Sequence, residues 1–146
     1  MLFRTVASLE RSLKNLNTDY IDVFMLHGVA PAALDPARSE IVPVLLGEKA
    51  KGKFRHLGIT ETAARDANHT MLDRALDDPC WEVVMLAFHL MHQNARHIVF
   101  SRSKAQGVGT LLMFVVRNIF SQPEVLAATV RALAAAGKLP DRKSVV

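Results

Sequence analysis

The chain has 146 residues, 50% of them hydrophobic and 22% charged, enough apolar content for one domain-sized core but hardly two, and too little charge for a disordered chain. Its net charge of +4 arises in the second half, where nine Lys and Arg face five Asp and Glu, yet Arg96, Arg102, Lys104, Arg117 and Arg131 are scattered along that half, without the clustered footprint of a nucleic-acid binder. One cysteine, Cys80, excludes an internal disulfide and fits a reducing compartment, and no apolar run approaches the roughly 20 residues that span a bilayer, so a cytoplasmic protein without nucleic-acid or membrane partners is expected.

Val6, Leu9, Leu13 and Leu16 recur at helical spacing over residues 4–16, with Arg4, Glu10, Arg11 and Lys14 on the other side. Ile21 to Leu26 reads as an apolar strand that closes on His27. Asp35-Pro36 then resembles an N-cap followed by proline at the first helical position, opening a helix that runs through Ile41, Val44, Leu45 and Lys49 to Gly52. Pro43 inside it predicts a kink or a late start. Arg55–Ile59 is a second apolar strand, closing on Thr60-Glu61, and Thr62 is expected to open a helix through Leu76 that stops at Asp77-Asp78-Pro79. Glu82–Leu90 is a third strand, residues 95–105 a helix ended by Gly107, and Thr110–Val116 a fourth strand. A last helix, residues 123–136, is capped by Ser121 and closed by Gly137, leaving residues 141–146 as a frayed tail.

Strands apolar on both faces and separated by helices imply a parallel sheet covered by helices. The expectation is an α/β unit over residues 1–140, four parallel βα units behind one leading helix. Polar groups at the carboxyl ends of such strands, His27 and Thr60-Glu61, stand where barrel enzymes place their chemistry. His89, His92 and His97 have no recognised ligand spacing and no carboxylate pair nearby; they read as polar residues on the rim of a site, and no metal is expected. His56 and His69 read as helix or strand surface residues. Gly107-Val108-Gly109 precedes a strand, so it lacks the helix N-terminus that a phosphate-binding turn needs.

The run Leu9-Glu10-Arg11-Ser12-Leu13-Lys14-Asn15-Leu16, continuing into Asp19-Tyr20-Ile21-Asp22 and ending at His27, resembles the signature of the aldo-keto reductase family. Gly52-Lys53-Phe54-Arg55-His56-Leu57-Gly58-Ile59-Thr60 is similar to the family's next strand, and residues 83–90 and 107–109 follow in the same order. The resemblance implies part of a TIM (β/α)8 barrel, from the helix before the fourth strand to the helix after the seventh. It also implies reduction of aldehydes or ketones, or the reverse oxidation, on a small carbonyl or sugar-like substrate with NADPH, or alternatively NADH. In the family a tyrosine acid, tuned by a lysine and an aspartate, protonates the carbonyl oxygen, and a histidine orients it. His27 matches that histidine; the other three positions lie upstream of this stretch in the family. Tyr20 sits at the opposite end of the His27 strand, roughly 23 Å away at about 3.3 Å per residue, too far to donate a proton there. The family's carboxamide-holding serine-asparagine pair corresponds to Thr60 and Glu61, its glutamine to Met85, and its nicotinamide-stacking aromatic to Met113, whose thioether keeps a polarisable face. Besides the oxidoreductase reading, a non-catalytic half-barrel that pairs with a second copy, and an inactive truncated product, stay open.

Overall fold

The computed structural model describes residues 2–89, 92–115 and 122–138, with side chains from residue 5 onward. The chain divides into two compact units, Met1–Met113 and Phe114–Val146.

In the first unit, α1 (Leu2–Leu16) buries Leu9 and Leu13 but leaves Leu16 64% exposed. Asn17 ends it at φ 52°, with the Thr18 amide donating back to Leu13, a left-handed cap in which asparagine does the usual work of glycine. Four parallel strands follow, β1 (Ile21–Val29), β2 (Phe54–Glu61), β3 (Val83–Ala87) and β4 (Gly109–Met113), and they pair in chain order. The α/β architecture and the parallel sheet are as the apolar runs predict.

Strand alternation divides this sheet into two faces. One carries Phe24, Leu26, Leu57, Ile59, Val84 and Leu86, which join Leu9, Leu34, Leu45, Met71, Leu72 and Trp81 in a single core under the helices. The other carries Val23, Met25, Gly58, Val83 and Met85. There Met25 lies over Gly58: a Cβ on Gly58 would meet the Met25 Cε at 2.9 Å and the Val83 carbonyl oxygen at 3.0 Å, so a side chain there would push Met25 aside and crowd the β3 backbone.

The connections depart from the sequence reading. After β1 a 3-10 turn (Pro31–Ala33), a single α turn (Leu34–Pro36) and a π turn (Ala37–Ile41) lead into α2 (Val42–Ala50). Asp35 is therefore inside the first turn and not an N-cap; Ala33 holds that position, and the Asp35 carboxylate instead accepts from Arg74 at 2.7 and 2.9 Å. Pro43 falls in the first turn of α2, and the irregularity it predicts is the π turn just before it; Pro36, Ala37, Ile41 and Val42 all stay in the right-handed helical region. No helix starts at Thr62. Residues 63–68 form turns and α3 spans only Thr70–Ala75, entered through His69 in the left-handed region at φ 54°. The cap is Asp66, whose carboxylate accepts the amides of Thr70 at 2.9 Å and Met71 at 2.8 Å.

Beyond β3, a π turn (Arg96–Phe100) runs into α4 (Ser101–Gln106), and Gly107 closes it at φ 70°. Strands β3 and β4 stop at Ala87 and Met113, short of the predicted ends; Leu90 and Val116 lie outside the described residues. In the second unit, α5 (Pro123–Ala135) starts on proline and has Gln122 at its N-cap without a side-chain bond. Ser121 and the tail at 141–146 lie outside the described residues. Among the described residues no helix is long and apolar enough to cross a membrane.

Candidate active site

The carboxyl ends of the strands bring the predicted site residues together by register. Leu26 pairs with Ile59 and Val29 with Glu61, so two residues of β1, His27 and Gly28, stand against Thr60 alone. This bulge turns the strand. Gly28 takes φ 65° there, and its amide donates to the Thr60 Oγ1 at 2.6 Å. Thr60 is 2% exposed, while His27 beside it is open to solvent. Thr60 pairs with Met85 across β2 and β3, and Ala87 pairs with Met113 across β3 and β4. Alternation then places His27, Thr60, Met85 and Met113 on the face of the sheet away from the helices. Both methionines are half-buried.

Glu61, one residue beyond Thr60, belongs to the opposite face. Its side chain is fully buried, and both oxygens are committed to protein donors: Oε1 accepts the Ala87 amide at 2.8 Å, and Oε2 meets the His69 Nδ1 at 2.8 Å. The His69 Nε2 in turn lies 3.2 Å from the His92 Nε2. His92 is held by a two-way backbone bridge with His89, at 2.9 and 3.1 Å. His69 is 0% exposed, which corrects its reading as a surface residue. The grouping His89, His92 and His97 also changes: His92 joins His69, and His97 is exposed on another turn. Sequence spacing hides this cluster because α3 and β3 lie between His69 and His92; the signal available was a histidine between Asp66 and Met71 at a helix start.

The amino ends of the strands are held differently. Burial pushes the Glu82 carboxyl up, but the Lys49 ammonium, the His56 ring at 2.9 Å and the Leu57 amide at 3.0 Å outweigh it and hold Glu82 at about 2. The Arg38 guanidinium reaches the Asp78 carboxylate and the Arg74 carbonyl. Tyr20, before β1, lies under the Arg55 guanidinium at 4.3 Å, so its ring packs at the end away from His27. Cys80 is partly buried there, and burial, with Asp78 nearby, pushes its thiol up, which makes it a poor nucleophile.

The sequence pattern of the aldo/keto reductase family matches residues 4–126. That covers well over half of the chain. The chain belongs to the aldo/keto reductase family. It is 39% identical over 57 residues to the L-galactose dehydrogenase of Arabidopsis thaliana, and 34% identical over 73 residues to the uncharacterized oxidoreductase YcsN of Bacillus subtilis. These matches take in 39% and 50% of this chain but only 18% and 23% of those proteins. Among solved structures, a Pseudomonas aeruginosa protein provisionally described as an aldo-keto reductase superposes with a TM-score of 0.60 at 26% identity, over 74% of this chain and 40% of that one. An aldo/keto reductase from Brucella melitensis does so with a TM-score of 0.61 over 90% and 48%; at 17% identity it speaks for the fold alone. The chain thus spans less than half of either solved aldo/keto reductase. The two named relatives are both oxidoreductases by their descriptions.

Proposed function

We propose that this chain carries the carbonyl-orienting and nicotinamide-facing part of an NAD(P)H-dependent oxidoreductase acting on aldehydes, ketones or sugar-like carbonyls. The observation behind the reading is the row His27, Thr60, Met85 on one face at the strand carboxyl ends, in a chain matched by the family pattern. A bound nicotinamide supplies hydride. The residues of this chain fit such a ring in part. Thr60 accepts from Gly28 and keeps its own hydroxyl proton for a carboxamide oxygen. Met85 and Met113 offer an apolar, polarisable wall. Glu61 contributes nothing to that wall while its carboxylate is held by His69 and Ala87. The exposed His27 ring can donate to a carbonyl oxygen and fix its orientation. Transfer of the final proton needs an acid within hydrogen-bond reach of that oxygen, and Tyr20 packs against Arg55 at the other end of β1.

Two measurements test this. Under millimolar NADPH, the Met85 and Met113 methyl resonances should shift, saturating weakly; no shift, or shifts confined to other methionines, would remove the cofactor reading. The purified chain should show no carbonyl-dependent NADPH oxidation above a His27→Ala control, since losing a general acid removes a factor of roughly 10²–10⁴. Turnover that depends on His27 would show that an acid is present after all.

A second reading rests on a separate observation. Among the described residues, strands β1 and β4 are the edges of the sheet, and β4 leaves Leu111 44% and Leu112 43% exposed. Unpaired edges and bare leucines favour pairing with another sheet, at roughly 25 cal/mol per Å² of apolar area covered. A homodimer through these edges should appear in light scattering behind size exclusion; a monomer at tens of micromolar would sink it.

A further inference from the structure

We propose that His69 and His92 form a two-imidazole site for a borderline divalent cation such as Zn²⁺, with Glu61 as the carboxylate behind it. Two facing ring nitrogens carry the argument. The His69 and His92 Nε2 atoms are 3.2 Å apart, and two nitrogens bound tetrahedrally at about 2.0–2.1 Å from zinc stand roughly 3.3–3.4 Å apart. The approach therefore needs only a small adjustment to become one edge of a coordination polyhedron.

The tautomer agrees. Glu61 Oε2 lies 2.8 Å from the His69 Nδ1, so the proton of His69 sits on that nitrogen and its Nε2 presents a lone pair towards His92. A carboxylate on the far nitrogen of a ligating histidine is the standard outer partner of imidazole-metal sites, where it fixes ring orientation and raises basicity. Glu61 is itself pinned, because its other oxygen takes the Ala87 amide at 2.8 Å. The three parts belong to the ends of β2 and β3 and to the turns beyond them, so β-sheet pairing sets their positions. His92 is half-buried and gives the path from solvent. Without a metal the two rings share one proton, His92 donating to His69.

Among the described residues no group of three or more His, Cys, Asp or Glu side chains is placed to hold a metal ion. The remaining positions would fall to water or an incoming oxygen or nitrogen ligand. With two protein ligands where catalytic zinc sites have three, such a site binds more weakly than either a catalytic or a closed structural one. Nothing in this assignment depends on the oxidoreductase reading.

Titration of the purified chain with Co²⁺, followed by its visible absorption, and with Zn²⁺ by calorimetry is the test. One equivalent should bind, His92→Ala should abolish that binding, and Glu61→Gln should weaken it by about 10–100-fold. His97→Ala, on an exposed turn, should leave it unchanged. His92 is half-buried, so its alanine variant remains informative if Glu61→Gln does not fold. Absence of saturable binding, or binding that survives His92→Ala or disappears with His97→Ala, overturns the proposal.

Discussion

The two ends of the four-stranded sheet are built from the same residue types and do different things with them. At the amino ends, charges meet charges near solvent: Glu82 with Lys49 and His56, and Arg55 with Asp22 at 2.8 Å. At the carboxyl ends, polar groups are either buried in one file, Ala87–Glu61–His69, that reaches the half-buried His92, or left open, as His27 is. Exposed pairs each contribute little, whereas a buried file holds every member to account for its hydrogen bonds. Stability at one end can be trimmed a little at a time; at the other it fails in large steps.

Four substitutions probe that contrast. Glu61→Ala should cost the most, about 3–5 kcal/mol, because it strands a buried imidazole N–H and a buried amide together; urea denaturation reads it, and a loss near 1 kcal/mol would mean the file is hydrated. Thr60→Val removes the acceptor of the Gly28 amide and should cost about 1–3 kcal/mol, with the bulge relaxing and the His27 ring resonances shifting. Glu82→Gln should cost about 1 kcal/mol near neutral pH, the linkage value cut down because its side chain is 34% exposed. The sign is fixed by the depressed carboxyl: from 4.5 to about 2 in the fold, Glu82 adds stability above about pH 4.5 that is lost as pH falls towards 2. The variant should therefore flatten the acid limb in that window, and an unchanged limb would refute it. Arg55→Ala should move the midpoint least, by under about 1 kcal/mol, with salt masking the difference.

Much of the architecture is legible in the chain. Continuous apolar runs such as residues 83–88 announce strands covered by helices, and Gly52 and Gly107, at φ 82° and 70°, mark helix ends because few other residues tolerate that backbone. His27 and Thr60 are legible for the same reason, as polar punctuation at the end of apolar strands. The partners of Glu61 are not. Alternation alone puts Glu61 on the face opposite Thr60, but the histidine it meets lies in turns where a helix is predicted, and Asp66 decides the matter by capping α3 eight residues later than Thr62 would. Pro43 signals an irregularity near the π turn at residues 37–41, whereas nothing comparable marks the one at 96–100.

The Arg38 side chain has a consequence for how the chain acquires its shape. It bonds Asp78 and the carbonyl of Arg74, 40 and 36 positions further on, while Arg74 returns to Asp35 and to the Pro31 carbonyl. The turns after β1 are thus buckled to the segment before β3, skipping over β2. A growing chain cannot close that buckle until the third strand is about to emerge, and loop closure over such distances is slow. The early βα units are consequently poor candidates for independent folding, and the first three strands should gain and lose protection from hydrogen exchange as one block.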